Sequence, residues 1–176
     1  MFRIASCTFI LNSQRFTRLN YDGVNCTAFS GNGPHRNNPI SGSVPNDGSI
    51  PIGNYYIVDR QSGGKLGPIL DWIADRDVWF ALFRDDGTID DSTFVDGVRR
   101  GEFRLHPKGP RGISLGCITL EYRTEFDTLR AYLMAQHVAY IPYTTTRTYG
   151  TIAVGFPIDT LDERYRPGGS SGTRIA

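Results

Sequence analysis

The sequence predicts a mainly β domain with one packed helix, and three observations lead to this prediction. Short runs rich in β-branched and aromatic residues recur along the chain. Turn signals such as Tyr21-Asp22-Gly23 and Asp85-Asp86-Gly87 separate these runs. One stretch departs from the pattern and has apolar residues at helical spacing instead.

Eight of these runs predict β-strands, because each is short, rich in strand-favouring residues and bounded by glycine, proline or asparagine. They are CTFIL (7–11), RFTRLNY (15–21), VNCTAFS (24–30), NYYIVDR (54–60), DVWFALFR (77–84), EFRLH (102–106), GCITL (116–120) and YGTIAVGF (149–156).

The segment TEFDTLRAYLMAQH (124–137) predicts the helix. Thr124 is the expected N-cap, with Asp127 three residues later. Phe126, Leu129 and Leu133 recur on one side of a helix of roughly three to four turns. We therefore expect this side to pack on the sheet.

The length of 176 residues predicts one domain with a single core. We expect this domain to span residues 1–165 and the glycine- and serine-rich segment 166–176 to be a flexible tail. The segment from Ser30 to Gly53 is rich in Gly, Pro, Asn and Ser, which predicts a long irregular loop.

Charge and cysteine content exclude several classes of protein. Lysine plus arginine (19) nearly balances aspartate plus glutamate (18), so no nucleic-acid partner is expected. The N-terminal apolar stretch is short and interrupted, so we expect neither a signal peptide nor a membrane span.

Cys7, Cys26 and Cys117 lack metal-ligand spacing, and no metal or other cofactor is predicted. Cys7 and Cys26 lie in alternating apolar stretches, which favours buried structural roles.

Cys117 needs a separate interpretation because a histidine precedes it by eleven positions in FRLHPKGPRGISLGCITL. A thiol becomes a good nucleophile when a nearby histidine takes its proton. Alternation in EFRLHP places His106 on the face opposite Leu105, and the glycine- and proline-rich segment that follows lets the next strand return beside the first. The pattern predicts a catalytic dyad of Cys117 and His106.

Two residues of the same segment are expected to support this dyad. Gly116 would leave room for a substrate carbonyl and let backbone N–H groups converge on a developing oxyanion. Ser114 could orient the imidazole or bond near the thiol, or it could satisfy the backbone of its own turn.

His106 followed by Ser114-Leu115-Gly116-Cys117-Ile118 resembles the active-site signature of the YkuD-type L,D-transpeptidases, in which a histidine precedes a Ser-His-Gly-Cys block. CTAFSG (26–31), GSIPIGNYYIV (48–58) and SLGCITL (114–120) together resemble the Tlde1 family, type VI secretion effectors with an L,D-transpeptidase-like fold. Leu115 replaces the usual second histidine, and Thr119 stands where an arginine usually follows.

The resemblance implies an L,D-transpeptidase-like β-sandwich or barrel that acts on the tetrapeptide stems of peptidoglycan. The expected activities are L,D-carboxypeptidase action, exchange of the terminal residue for a free D-amino acid, and crosslinking. The resemblance further implies an antibacterial toxin that is secreted without a signal peptide and acts in the periplasm of the target bacterium. Its expected partners are the secretion machinery and a cognate periplasmic immunity protein.

Four further residues are expected to bind substrate. Lys108 and Arg111 lie between the two members of the dyad and could meet a stem carboxylate, or they could be solvated charges on a loop. Ser30 and Gly31 end the CTAFSG motif and begin the long loop. Loops on a rigid β scaffold commonly carry recognition, so this loop is also the expected contact of the immunity protein.

Two other functions remain open. A papain-like cysteine amidase or endopeptidase ordinarily has its cysteine at a helix N-terminus and its histidine far downstream, the reverse of the order found here. A non-catalytic peptidoglycan-binding module could use Trp72, Trp79 and the tyrosines as a surface that stacks on sugars.

Overall fold

The computed structural model describes residues 4–60 and 78–157. The predicted tail at 166–176 and Trp72 lie outside these residues. The described part of the chain contains one α-helix, α1 (Arg123–Met134), and the following β-strands: β1 (Ala5–Ile10), β2 (Thr17–Tyr21), β3 (Val24–Phe29), β4 (Gly53–Asp59), β5 (Phe80–Arg84), β6 (Ser92–Val95), β7 (Val98–Gly101), β8 (Arg104–Pro107), β9 (Ile118–Leu120), β10 (Ala139–Tyr140), β11 (Arg147–Thr148) and β12 (Gly150–Gly155).

Eight strands close into a barrel in the order β1-β12-β4-β5-β8-β9-β3-β2. The pairs β1–β12 and β8–β9 are parallel, and the other neighbouring pairs are antiparallel. All eight runs predicted as strands supply the barrel strands, so the mainly β prediction is confirmed. The more specific likeness to the L,D-transpeptidase fold stays a prediction.

The core fills the inside of the barrel, because alternate residues of the strands point inward. On β1, Cys7 and Phe9 are buried while their neighbours Ser6 and Thr8 are exposed. Cys26 is buried on β3, and β2 lies between it and β1. Two strand spacings of about 4.8 Å each therefore separate Cys7 from Cys26. This separation exceeds the Cα–Cα distance of about 7 Å that a disulfide tolerates. Cys7 and Cys26 are accordingly free thiols of the core.

Helix α1 packs on this core through Phe126, Leu129 and Leu133, which are all fully buried, as predicted. The predicted N-cap was wrong. The helix begins at Arg123, and Tyr122 is an N-cap that makes no side-chain hydrogen bond. Glu125 Oε2 instead accepts a hydrogen bond from the backbone N–H of Thr27 in β3 at 2.7 Å, so a contact with the barrel fixes the first turn. No helix in the described residues is long and apolar enough to cross a membrane.

The hairpin of β6 and β7 was not predicted, although its turn carries a recognisable signal. Asp96 and Gly97 have φ values of 51° and 76°, the left-handed conformation that Asp-Gly favours in two-residue hairpins. The flanking strands are short and rich in charged or exposed residues, so their hydrophobic alternation is weak. This hairpin forms a sheet of its own outside the barrel.

We predict that Phe126→Ala lowers the free energy of unfolding by about 3–5 kcal/mol, because it removes a fully buried aromatic side chain from the core. Urea denaturation would measure the change. Tyr122→Ala removes an aromatic side chain that is 55% exposed, and should change stability by only about 0.5 kcal/mol. Equal effects of the two substitutions would contradict the packing of α1 described above.

Candidate active site

The parallel pairing of β8 with β9 brings the predicted dyad to neighbouring strands. His106 lies opposite Thr119, and Leu105 lies opposite Ile118. Extending this register by one residue places Cys117 beside Arg104. Leu105 and Ile118 are fully buried in the core, so alternation puts Cys117 and His106 together on the other face. They are diagonal neighbours, a separation that a long or aromatic side chain can bridge.

Cys117 is half-buried and immediately precedes β9, so it does not begin a helix. Its Sγ lies 3.9 Å from the carbonyl oxygen of Glu102, and it accepts the backbone N–H of Arg104. Burial raises the pKa of the Cys117 thiol to about 11. The N–H and guanidinium of Arg104 oppose this increase in pKa, whereas the carboxylates of Asp91 and Glu102 add to it. The resting group is therefore a protonated thiol at neutral pH.

His106 is 7% exposed, and each of its ring nitrogens lies within hydrogen-bond distance of a described group other than the thiol. Its Nδ1 lies 2.8 Å from the carbonyl oxygen of Pro107. A carbonyl oxygen can only accept, so Nδ1 carries the proton in neutral imidazole and Nε2 is left as an acceptor. Nε2 lies 3.3 Å from Thr119 Oγ1. The indole of Trp79 stacks on the ring, with a centroid distance of 4.2 Å and an interplanar angle of 18°.

Ser114 holds the backbone of the segment that carries Cys117. Its Oγ donates to the carbonyl oxygen of Cys117 at 2.7 Å and accepts the N–H of Gly31 at 3.3 Å. The side chain is 2% exposed. Of the roles considered for Ser114, the turn serine that bonds nearby backbone is the one whose contacts are observed. The same hydroxyl joins this turn to the start of the long loop.

Gly116 is needed for close packing against a buried arginine. Its φ is +103°, and an added Cβ would lie 2.6 Å from Arg100 Nη2 and 3.2 Å from Phe103 Cε1. Arg100 is 5% exposed, and its guanidinium donates to the carbonyl oxygens of Gly42 and Gly48. The space left by the missing side chain is thus filled by protein. A role of the Gly116 N–H toward an oxyanion stays a prediction.

An open cavity of about 680 Å³ lies in front of Cys117. Its walls include Pro45 and Asn46 of the long loop, Leu115, and Trp79. The long loop therefore borders the cavity. Among the described residues, Trp79 lines the cavity and stacks on the His106 ring, and His106 itself is not on the cavity wall.

The four residues predicted to bind substrate do not line this cavity. Lys108 forms an ion pair with Glu121, and Arg111 is an exposed residue of the connecting turn. Ser30 is fully buried, and its Oγ accepts the N–H of Ile50 at 2.7 Å. Gly31 packs so closely that an added Cβ would lie 2.6 Å from the carbonyl oxygen of His35. Ser30 and Gly31 anchor the long loop in this structure, and substrate contact by any of the four stays an untested prediction.

Several side chains that shape the site were not predicted. Arg104 forms a two-pronged ion pair with Asp91, with N–O distances of 2.6 Å and 2.5 Å. Arg100 closes the floor of the cavity, and Thr119 bonds His106. Arg100 lies in β7 and Arg104 begins β8. The Asp-Gly turn was the only strong signal of the β6–β7 hairpin, and the partners of both arginines described above are not their neighbours in sequence. No three His, Cys, Asp or Glu side chains in the described part of the chain are grouped as metal ligands.

A closed β-barrel with a cysteine at the edge of an open polar cavity, and a histidine on the neighbouring strand, defines a candidate thiol site. The Tlde1 domain family matches residues 24–144, which include Cys117, His106 and most of the barrel. The chain therefore belongs to the Tlde1 family, a family of type VI secretion effectors. No curated protein and no solved structure matches the chain.

We predict that the rate of Cys117 alkylation by iodoacetamide rises with pH along a titration curve whose midpoint lies near 11. The corresponding midpoint for a free thiol is about 8.5. Asp91→Asn should lower this midpoint, because it removes a carboxylate that raises the pKa and leaves the Arg104 guanidinium uncompensated. The rates would be followed by peptide mass spectrometry.

Asp22→Asn is the matched control, since it removes the same charge in the turn between β2 and β3. Its alkylation profile should equal that of the unmodified chain. A rate that already reaches its plateau below pH 7 would mean that a thiolate–imidazolium pair exists at rest, which contradicts the described site.

Proposed function

We propose that this protein is a cysteine enzyme that acts on the tetrapeptide stems of peptidoglycan, with Cys117 as nucleophile and His106 as general base. The proposal depends above all on the placement of Cys117. This residue lies on the wall of an open cavity and on the same face of the sheet as His106. Membership of the Tlde1 family supports peptidoglycan as the target.

The resting geometry suggests how the nucleophile is activated. The pKa of Cys117 lies far above neutral pH, so little thiolate is present before substrate binds. In the neutral imidazole, Nε2 of His106 is the atom that can take the thiol proton, and it must turn from Thr119 toward Cys117. Catalytic hydrogen bonds are often completed only when substrate is bound. His106 would also have to move relative to Trp79, whose indole stacks on its ring.

In the proposed first step, the sulfur of Cys117 attacks the carbonyl carbon between the third residue of the stem and the terminal D-alanine. The thiol proton moves to His106 and then to the departing amine, so that a thioester forms and D-alanine leaves. Water can then cleave the thioester to give a tripeptide stem. A free D-amino acid gives exchange, and the amine of a second stem gives a crosslink. Hydrolysis or exchange would remove the donor stems that normal crosslinking needs.

We further propose that the enzyme works in the periplasm of a target bacterium, reached through the type VI secretion machinery. Kin cells then need a periplasmic immunity protein that blocks the cavity. The long loop is the proposed contact, because Pro45 and Asn46 stand at the cavity beside Cys117. Hydrogen bonds such as that from Ser49 Oγ to the carbonyl oxygen of Asn38, at 2.6 Å, hold this loop in shape for recognition.

Mass spectrometry of muropeptides tests the activity. The unmodified protein should convert tetrapeptide stems into tripeptide, exchanged or 3-3 crosslinked products, and Cys117→Ala should abolish all of them. His106→Ala should cause a comparable loss, and the double variant should lose hardly more, because the two groups act in one step.

Cys26→Ala provides the matched control, because it makes the same chemical change at a cysteine buried in the core. It should keep the product pattern. Turnover by a folded Cys117→Ala variant would refute the proposed nucleophile, whereas an inactive unmodified protein would refute the proposed substrate.

The proposed site of action gives a separate prediction. Expression in the cytoplasm of a bacterial host should be harmless, and fusion to an export signal should make the protein toxic, because peptidoglycan lies only outside the inner membrane. Growth curves of the two strains would show the difference, with exported Cys117→Ala as control. Equal toxicity from both locations would argue for a cytoplasmic target.

A further inference from the structure

The cavity beside Cys117 is lined by more charge than the proposed dyad requires. Four arginines and two carboxylates reach its wall: Arg60, Arg99, Arg100, Arg104, Asp91 and Glu102. A charged group that lines a cavity is either satisfied by the protein or available to a ligand. The contacts of each side chain separate these two cases.

Three of the arginines have protein partners. Arg104 is held by both oxygens of Asp91. Arg100 donates to two backbone carbonyl oxygens of the long loop and lies 5.5 Å from the ring centroid of Phe103. Arg60 lies over the Trp79 ring at 5.9 Å. These groups build the walls of the cavity.

Arg99 and Glu102 differ from the other charged residues. In residues 4–60 and 78–157, neither side chain forms a hydrogen bond or an ion pair, and both are exposed. The chain between them is short, so their Cα atoms lie at most about 10 Å apart. Glu102 has a φ of 56°, which bends the chain between β7 and β8.

Hydrogen bonds hold the backbone that carries Arg99 and Glu102 in place. Arg100 lies between them in sequence and is pinned to the long loop, and the N–H of Glu102 donates to the carbonyl oxygen of Asp91 at 2.9 Å. The cavity therefore presents one available cation and one available anion on a rigid support. The Glu102 carboxylate disfavours a second anionic group in the space next to Arg99. A ligand with one positive and one negative charge close together matches both groups.

We infer that Arg99 and Glu102 form a subsite for the zwitterionic head of an α-amino acid, with Arg99 bonding its carboxylate and Glu102 its ammonium group. Guanidinium–carboxylate and carboxylate–ammonium pairs are charge-assisted hydrogen bonds, which gives the site its selectivity. The inference rests on the proposed function for the source of this ligand. That source is either the free end of diaminopimelate in the stem or a free D-amino acid that resolves the thioester.

The subsite can be tested without turnover, by NMR titration of Cys117→Ala with three probes. D-methionine carries both charges, N-acetyl-D-methionine only the carboxylate, and D-methioninamide only the ammonium group. Arg99→Gln should weaken binding of the first two about tenfold and leave the amide unchanged. Glu102→Gln should weaken binding of D-methionine and the amide, and leave the N-acetyl compound unchanged. Arg99→Lys should recover part of the lost affinity. Lysine restores the positive charge but cannot form the paired hydrogen bonds that a guanidinium makes with a carboxylate.

Arg18→Gln and Asp22→Asn are matched controls, because they remove the same charges on or beside β2 and should change no affinity. Loss of affinity in the controls equal to that in Arg99→Gln and Glu102→Gln would overturn the subsite. So would failure of all three probes to bind at millimolar concentration. Neither result depends on catalysis, so each is distinct from a failed muropeptide assay.

Two tetrapeptides, with diaminopimelate or with lysine at the third position, identify the source. If the subsite holds the stem, the diaminopimelate peptide should bind about tenfold more tightly than the lysine peptide, and Arg99→Gln should abolish this preference. If it holds the incoming amino acid, D-methionine should still bind when either peptide is present. The assignment would be contradicted if Arg99→Gln changed neither the affinity of either peptide nor the affinity of D-methionine.

Discussion

Strands β8 and β9 run parallel, and the arrangement of the candidate site depends on that pairing. An antiparallel return would need only a tight turn, whereas a parallel return needs a crossover, which the irregular segment from Lys108 to Cys117 provides. The crossover ends with Ser114 bonded to the carbonyl oxygen of Cys117. The register then fixes the thiol beside Arg104 and two residues away from the level of His106.

This geometry has a chemical consequence for the thiol of Cys117. The thiol interacts with Glu102 and Arg104, and the imidazole with Pro107 and Thr119. A cysteine held as a thiol at neutral pH is protected from oxidation and from stray electrophiles, because the thiolate is the reactive form. Under the proposed mechanism, the proton leaves when the substrate carbonyl is in place and His106 turns. Reactivity is then coupled to substrate binding.

The sequence predicted the strands of the barrel well because they follow a local rule. Each barrel strand alternates or is apolar over a few residues, and Phe126, Leu129 and Leu133 repeat at helical spacing; periodicity reveals such patterns without knowledge of neighbours. The strands β6 and β7 are too short and too polar for hydrophobic periodicity to reveal them. Asp96-Gly97 was the one clear signal of their hairpin.

The surroundings of the site were harder to predict because they depend on distant contacts. Arg100 bonds Gly48 across 52 residues of sequence, and this contact explains why Gly116 lacks a side chain. Conversely, Lys108 and Arg111 are close to Cys117 in sequence but do not reach its cavity. Proximity in sequence predicted the candidate nucleophile and base, whereas the available charges of Arg99 and Glu102 emerge only from the fold.

Under the proposed mechanism, Cys117 forms a covalent bond with a stem peptide. Intact-protein mass spectrometry after brief incubation with a synthetic tetrapeptide would detect this bond. We expect an adduct with the mass of the tetrapeptide less D-alanine, located on Cys117 and missing in Cys117→Ala. Product formation with no such adduct under rapid quenching, or the same adduct in Cys117→Ala, would contradict this mechanism.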